Sequence, residues 1–119
     1  RYFNEDDDVL KDKVNGALSG YSLPVFCVQN ESTHIPQGVK IVAYEPPSAI
    51  GTGNPDTPEN ANNVANKVKD RYDITHVLYG GSVTGQNVAG FIQMPSIDGV
   101  LVGGASLDPL EFLEIIKNA

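Results

Sequence analysis

The sequence predicts an α/β fold with a parallel sheet, on three observations. Four apolar runs of strand length, residues 23–28, 39–44, 76–79 and 99–102, are nearly continuous rather than alternating, as in strands buried on both faces. Segments of helical period separate the later runs, so the connections are crossovers and not hairpins. Each run ends in a polar or Gly-rich stretch, where parallel α/β folds hold their ligands.

Taken in order, Val9, Leu10, Val14, Ala17 and Leu18 recur at helical spacing behind the acidic residues 5–8, which suit the positive end of a helix dipole. This predicts a helix over about 6–18, stopped by Gly20, before the first strand. Residues 31–38 contain Pro36 and Gly38 and have no helical period, so a short loop without a helix joins the first two strands. Thr57 and Pro58 read as N-cap and first helical position, followed by an inward face of Ala61, Val64, Ala65 and Val68. A shorter helix is expected over about 85–92 with Val88, Phe91 and Ile92 inward. The last should start at Asp108-Pro109 and bury Leu110, Leu113 and Ile116.

At 119 residues and 40% hydrophobic composition, the chain is expected to form a single domain over 1–119 with a modest core. A net charge of −7 speaks against nucleic-acid binding, which draws on clustered cations. The single cysteine, Cys27, cannot form an intrachain disulfide, and with two histidines it makes no metal-ligand pattern. No apolar run approaches a membrane span, and the acidic start is unlike a signal peptide, so a soluble, cytoplasmic protein is expected. The opening on Arg1 rather than Met gives an expectation of a fragment.

Three strand exits carry the chemistry. Glu45 is a carboxylate at the tip of the second strand beside Pro46 and Pro47; taken alone, such a glutamate is more often solvated or a helix cap. Ser48, Ala49, Ile50, Gly51, Thr52 and Gly53 then form a small-residue loop between a Pro-stiffened entry and Asn54-Pro55. The composition suits a pivoting lid, and equally a merely flexible loop. Gly80-Gly81-Ser82 and Gly103-Gly104 are Gly pairs on consecutive strand-to-helix loops. One pair is ordinarily a turn; two resemble the phosphate site after the last strands of a (β/α)8 barrel, where amides hold an anion without Lys or Arg.

The strings AYEPPSAIGTG (43–53), YGGSVTGQN (79–87) and DGVLVGGASL (98–107) resemble the catalytic-base strand with its lid, the seventh loop and the eighth loop of the triosephosphate isomerase family. RYFNEDDD (1–8) and PVFCV (24–28) resemble the segment after that family's catalytic histidine and its fifth strand. The resemblance therefore covers nearly the whole chain in the family's order. It implies the C-terminal half of a (β/α)8 barrel, four parallel strands with crossover helices and none between the first two. It implies interconversion of dihydroxyacetone phosphate and glyceraldehyde 3-phosphate, a step of glycolysis and gluconeogenesis, without a cofactor.

By the same resemblance Glu45 is the general base, and residues 46–53 are the lid, which donates the Gly51 amide to the phosphate. Ser82, Gly103 and Gly104 supply further backbone donors. Ile50 and Leu101 keep the closed site dry, which favours the raised pKa that a carboxylate base needs, and Pro46 couples closure to the carboxylate.

The chain departs from the family in having Ser48 where a tryptophan is usual and Gln29-Asn30 where Gly-Glu is usual. It contains none of the sequence carrying the family's catalytic lysine, histidine and neighbouring asparagine. His34 and His76 match neither role and are expected to be structural or solvated; Lys40 is expected on a strand, and Cys27 in buried packing.

A half-barrel with an open inner face and two free edges should pair with the N-terminal half-barrel or with a second copy as a homo-oligomer. Expected ligands are a triose phosphate or a phosphate or sulfate ion. By itself the chain is expected to be inactive or very weak; the alternative is a non-catalytic phosphate-binding or self-assembling module. A different phosphate-binding barrel would leave the Glu45 string unexplained.

Overall fold

A computed structural model of the chain describes residues 5–119; the opening RYFN of the family resemblance lies outside them. The elements run α1 (Asp7–Ser19), β1 (Val25–Val28), β2 (Ile41–Tyr44), α2 (Pro58–Arg71), β3 (His76–Tyr79), α3 (Val88–Ile92), β4 (Gly99–Val100), a 3-10 turn (Gly104–Leu107) and α4 (Pro109–Asn118). All strand pairs are parallel, in the order β1-β2-β3-β4. Each connection steps one strand along in the same direction, which is the winding of a (β/α)8 barrel and not of a doubly wound sheet. The fold is a partial barrel, as expected. No helix among the described residues is long and apolar enough to cross a membrane.

Local chemistry sets the helix ends. The Asp6 carboxylate accepts from the Val9 amide at 3.0 Å and the Thr57 hydroxyl from the Asn60 amide at 3.2 Å, while Asp108 accepts from the Leu110 amide at 2.9 Å. Each satisfies a donor that the helix start leaves without an internal partner. The Gly20 amide closes α1 on the Gly16 and Ala17 carbonyls. α3 begins later than its apolar spacing predicts, because Asn87 holds the preceding turn: its side chain accepts from the Thr84 amide at 2.9 Å and donates to the Ser82 carbonyl at 3.0 Å. β4 is likewise shorter than its apolar run. Residues 29–40 join β1 to β2 without a helix, at about the dozen residues that is the least a parallel crossover needs.

The core lies between the sheet and the helices. Register aligns Phe26, Val42 and Val77 across β1–β3, and Val28 with Tyr44 and Tyr79. Val28, Val42, Tyr44, Val77 and Tyr79 pack with Ala61, Val64, Ala65 and Val68 of α2, Val88 and Phe91 of α3 and Ile115 of α4. The Tyr79 and Phe91 rings stack with centroids 3.9 Å apart and planes 9° from parallel. Where a crossover helix would lie, the 31–38 loop contributes Ile35, which joins Val14 of α1 and Val39 in the same core.

Two burial expectations fail. Leu110, Leu113 and Ile116 of α4 are exposed at 75%, 45% and 57%, and Ile115 is the residue buried, at 2%. Two residues along a helix is roughly 200° of rotation, so α4 turns the opposite face inward. Its Glu114 backs onto Gly85, where a β-carbon would lie 2.8 Å from that side chain. Cys27 is exposed as well: it lies on β1, the edge strand of the sheet, while its register partner Ala43 on β2 is fully buried. Partial burial among its neighbours, then the adjacent Glu45 carboxylate, push the thiol up to about 11.

Asp98 ties β3 to α2. Its carboxylate accepts from the Val77 amide at 2.7 Å and pairs with Lys69 at 2.6 Å. Burial alone would raise its pKa, but the Lys69 and Val77 hydrogen bonds outweigh it and hold the carboxyl below its ordinary 3.8. A carboxyl depressed on folding stabilises the protein above the unfolded-state pKa, and that contribution is lost as pH falls through the folded value. Asp98→Asn is therefore expected to destabilise the chain at neutral pH and to flatten the acid limb of urea midpoint against pH. Superimposable acid limbs for variant and parent would exclude Asp98 from this role.

Candidate active site at the strand C-termini

The sheet ladder runs one residue past each strand. The Glu45 amide donates to the Val28 carbonyl at 2.8 Å, Gly80 to Tyr44 at 2.9 Å and Leu101 to Tyr79 at 2.8 Å. Glu45, Gly80 and Leu101 thus stand side by side on the rim. Glycine is required at 80 because a β-carbon there would lie 2.8 Å from the Glu45 Cγ. The half-buried Glu45 side chain occupies that space.

A cleft of about 680 Å³ opens over this rim, lined by Glu45, Ile50, Gly51, Ser82, Leu101, Gly103 and Gly104 with their neighbours. Glu45, Ile50, Gly51, Ser82, Leu101, Gly103 and Gly104 thus meet in one place, although the three loops are far apart in sequence; Pro46, Pro47, Ser48, Ala49 and Thr52 do not line the cleft. Among the described residues, the amides of Gly51, Ser82, Gly103 and Gly104 donate to no acceptor in the chain. A β-carbon at Gly103 or Gly104 would meet nothing within 4 Å, so an approaching ligand finds bare backbone. No Lys, Arg or His lines the cleft. An anion held there would depend on amide dipoles.

The lid lies down on the third strand's exit. The Ser82 hydroxyl donates to the Ala49 carbonyl at 2.6 Å and accepts from the Gly53 amide at 3.1 Å. Ala49 is buried, and Thr52 closes the loop on the Ser48 carbonyl at 2.9 Å. Gly81 must be small: a β-carbon there would lie 2.5 Å from the Tyr79 hydroxyl and 2.8 Å from Ala49. Ser82 adopts φ +49°, a left-handed conformation that is strained for a residue with a side chain. Ser48 and Pro47 are exposed, and Pro46 is buried.

Ser82 therefore does more than its sequence suggested, since its hydroxyl serves the lid while its amide is left free. Sequence reasoning missed the partners at the lid's exit. The Tyr79 hydroxyl accepts from the Asp56 amide at 2.8 Å, and the Tyr44 hydroxyl donates to the Asp56 carboxylate at 2.9 Å. The available signal was Asp56 itself, a second capping-type residue directly ahead of the Thr57 cap.

The histidines lie away from the cleft. His34 pairs with Asp7 at 3.0 Å, and His76, beside Asp98 at 4.0 Å, begins β3 at the end opposite Tyr79. Both are solvent-exposed. Lys40 precedes β2 and pairs with Asp73.

A parallel, singly wound sheet with a carboxylate and glycine amides converging on its strand exits is the architecture of a partial α/β barrel. A family model described as Triosephosphate isomerase matches residues 36–119. The chain is 38% identical over 138 residues to the triosephosphate isomerase of Mesomycoplasma hyopneumoniae (strain 7448), covering 98% of this chain and 57% of that relative. It is 34% identical over 151 residues to that of Bifidobacterium longum (strain DJO10A), covering 100% and 57%. To that of Chloroherpeton thalassium (strain ATCC 35110 / GB-78) it is 38% identical, covering 100% and 60%.

This chain belongs to the triosephosphate isomerase family. It spans less than two thirds of the length of the curated relatives it matches. Alignments of 151 positions to a chain of 119 residues leave at least 32 positions without a counterpart here. A shortfall of that size accords with the helix absent between β1 and β2.

Proposed function

We propose that this chain supplies the base and the phosphate-holding side of a triosephosphate isomerase, and that it turns over substrate when the strands bearing the remaining groups complete the barrel. The supporting observation is the single cleft in which the Glu45 carboxylate faces backbone amides of Gly51, Ser82, Gly103 and Gly104 that have no partner in the chain. In this reading the amides hold the phosphate of dihydroxyacetone phosphate. Glu45 takes a proton from the carbon next to the carbonyl and returns it to the adjacent carbon, giving glyceraldehyde 3-phosphate through an enediol intermediate. The docked lid excludes water, so the intermediate is protonated by Glu45 rather than losing its phosphate. Such an activity belongs to glycolysis and gluconeogenesis.

The open inner face and the two unpaired edges, β1 and β4, favour completion by a further set of strands. Val25, Leu101, Leu110 and Leu113 would be covered in that assembly, which in this reading is the N-terminal half-barrel or a second copy. The absence of Lys and His from the cleft's lining favours, for the chain by itself, the second reading of a phosphate binder without turnover.

A coupled assay of both directions, on the chain alone and mixed with an N-terminal half-barrel, separates these readings. Turnover only in the mixture is the expected result. Binding of inorganic phosphate to the chain with no turnover in either preparation would establish the binder, and neither binding nor turnover would remove both readings.

A further inference from the structure

The lid's hold on the rest of the molecule is slight. Of residues 47–53 only Ala49 is buried, so docking rests on a few hydrogen bonds. Two come from the Ser82 hydroxyl. The others gather at Asp56, where the lid gives way to α2. One carboxylate oxygen of Asp56 accepts from the Thr57 amide at 2.8 Å; the other accepts from the Tyr44 hydroxyl at 2.9 Å and the Asn60 side-chain amide at 2.7 Å. Its own amide donates to the Tyr79 hydroxyl at 2.8 Å. The carboxylate thus draws together the second strand, the lid's exit and the first turn of α2.

Tyr44 is the residue directly before Glu45, and its ring is buried at 4% exposure. A buried hydroxyl has little choice of partner, and its hydrogen bond to a carboxylate is of the stronger, charge-assisted kind. The bond joins the rigid strand that carries the base to the point where the mobile-type loop ends. We propose that Asp56 is a positioning residue, a latch whose carboxylate holds the lid docked by binding the Tyr44 hydroxyl. When the latch is made, the lid keeps the Gly51 amide over the cleft and the Gly53 amide on Ser82. When it is broken, the lid's exit is held only by the Asp56 amide on the Tyr79 hydroxyl, beside the two Ser82 contacts.

The inference rests on the proposed function only for its consequence on ligand affinity; lid docking is measured without ligand. Amide hydrogen exchange is followed by NMR on the full chain for four forms: parent, Tyr44→Phe, Asp56→Ala and the double variant. Tyr44→Phe leaves the Asp56–Thr57 turn intact, so it removes the latch without removing the cap. Exchange of the Gly53 amide is expected to accelerate roughly tenfold or more in each single variant, as the loss of a hydrogen bond to a charged group implies. In the double variant it should accelerate little beyond Asp56→Ala, because that substitution already breaks the bond that Tyr44→Phe removes.

The Val77 amide, bonded to Asp98 away from the lid, should keep its parental rate, which separates lid release from general loosening. Inorganic phosphate is then titrated into the same samples, and its dissociation constant should rise by a similar factor. Gly53 exchange unchanged in Tyr44→Phe, or effects that multiply in the double variant, would overturn the latch. Failure of every form, parent included, to bind phosphate would count against the proposed function while the Gly53 rates still judge the latch.

Discussion

Glu45→Gln is expected to lower kcat of the completed barrel by about 10²- to 10⁴-fold while leaving the affinity for inorganic phosphate within about twofold. The amide is nearly the same size as the carboxylate but cannot accept a proton from carbon. It can still fill the space left over Gly80, where the backbone passes so close to the Glu45 side chain that no other side chain fits. The amides proposed to hold phosphate lie on three other loop segments, at Gly51, Ser82 and the Gly103-Gly104 pair, and none of them is bonded to Glu45. Chemistry and binding should therefore separate cleanly: kcat falls and the phosphate titration stays put. A kcat loss below about fivefold would take Glu45 out of the base's role.

The second large effect is on stability. Phe91→Ala is expected to cost about 3–5 kcal/mol, read from the shift in the urea midpoint at constant slope. Against a total of roughly 5–15 kcal/mol for a domain, that loss would leave the chain marginal or unfolded. The reason is local. Phe91 is 1% exposed and stacks on Tyr79, itself fully buried, so truncation opens a cavity beneath a ring that cannot move to fill it. The same ring carries the hydroxyl that accepts the Asp56 amide, 2.8 Å away. Loss of packing under Tyr79 should thus also loosen the lid's exit, and Phe91→Leu should recover much of both. A midpoint shift equivalent to under about 1 kcal/mol would mean that the stack is not a pivot of this core.

Much of the molecule was legible in the chain's own order. Thr57-Pro58 announced α2 because capping and proline's fixed φ are decided within a few residues. The face of Ala61, Val64, Ala65 and Val68 is buried as its spacing predicts. The run HVLY is β3 residue for residue, and residues 31–38 form no helix. Glu45 and the Gly pairs were legible as strand-exit features because strand exits and small residues are local signals; the roles that family resemblance implies for them belong to the proposed function.

The errors share a cause. Leu110, Leu113 and Ile116 have the right period for an inward face, yet period gives only the existence of an apolar stripe. Which side of α4 meets the protein is decided by where α3 and Gly85 stand. Cys27 sits on a strand that reads as buried on both faces, and that strand is the edge of the sheet. Asp56 was not singled out, because nothing in the sequence reveals that Tyr44, twelve positions back, comes within 2.9 Å of its carboxylate.

By itself the sequence determined the order and kind of the elements and the family, and it marked Glu45 and the glycine loops that line the cleft. These follow from propensity, capping and motif, all properties of neighbours along the chain. Only the tertiary structure decided which face of each element is covered, which partners Ser82 and Asp56 meet, and that amides from three loops stand unpaired together. Those depend on side chains that meet across a sheet, and a contact between distant residues leaves no periodic trace in the chain that forms it.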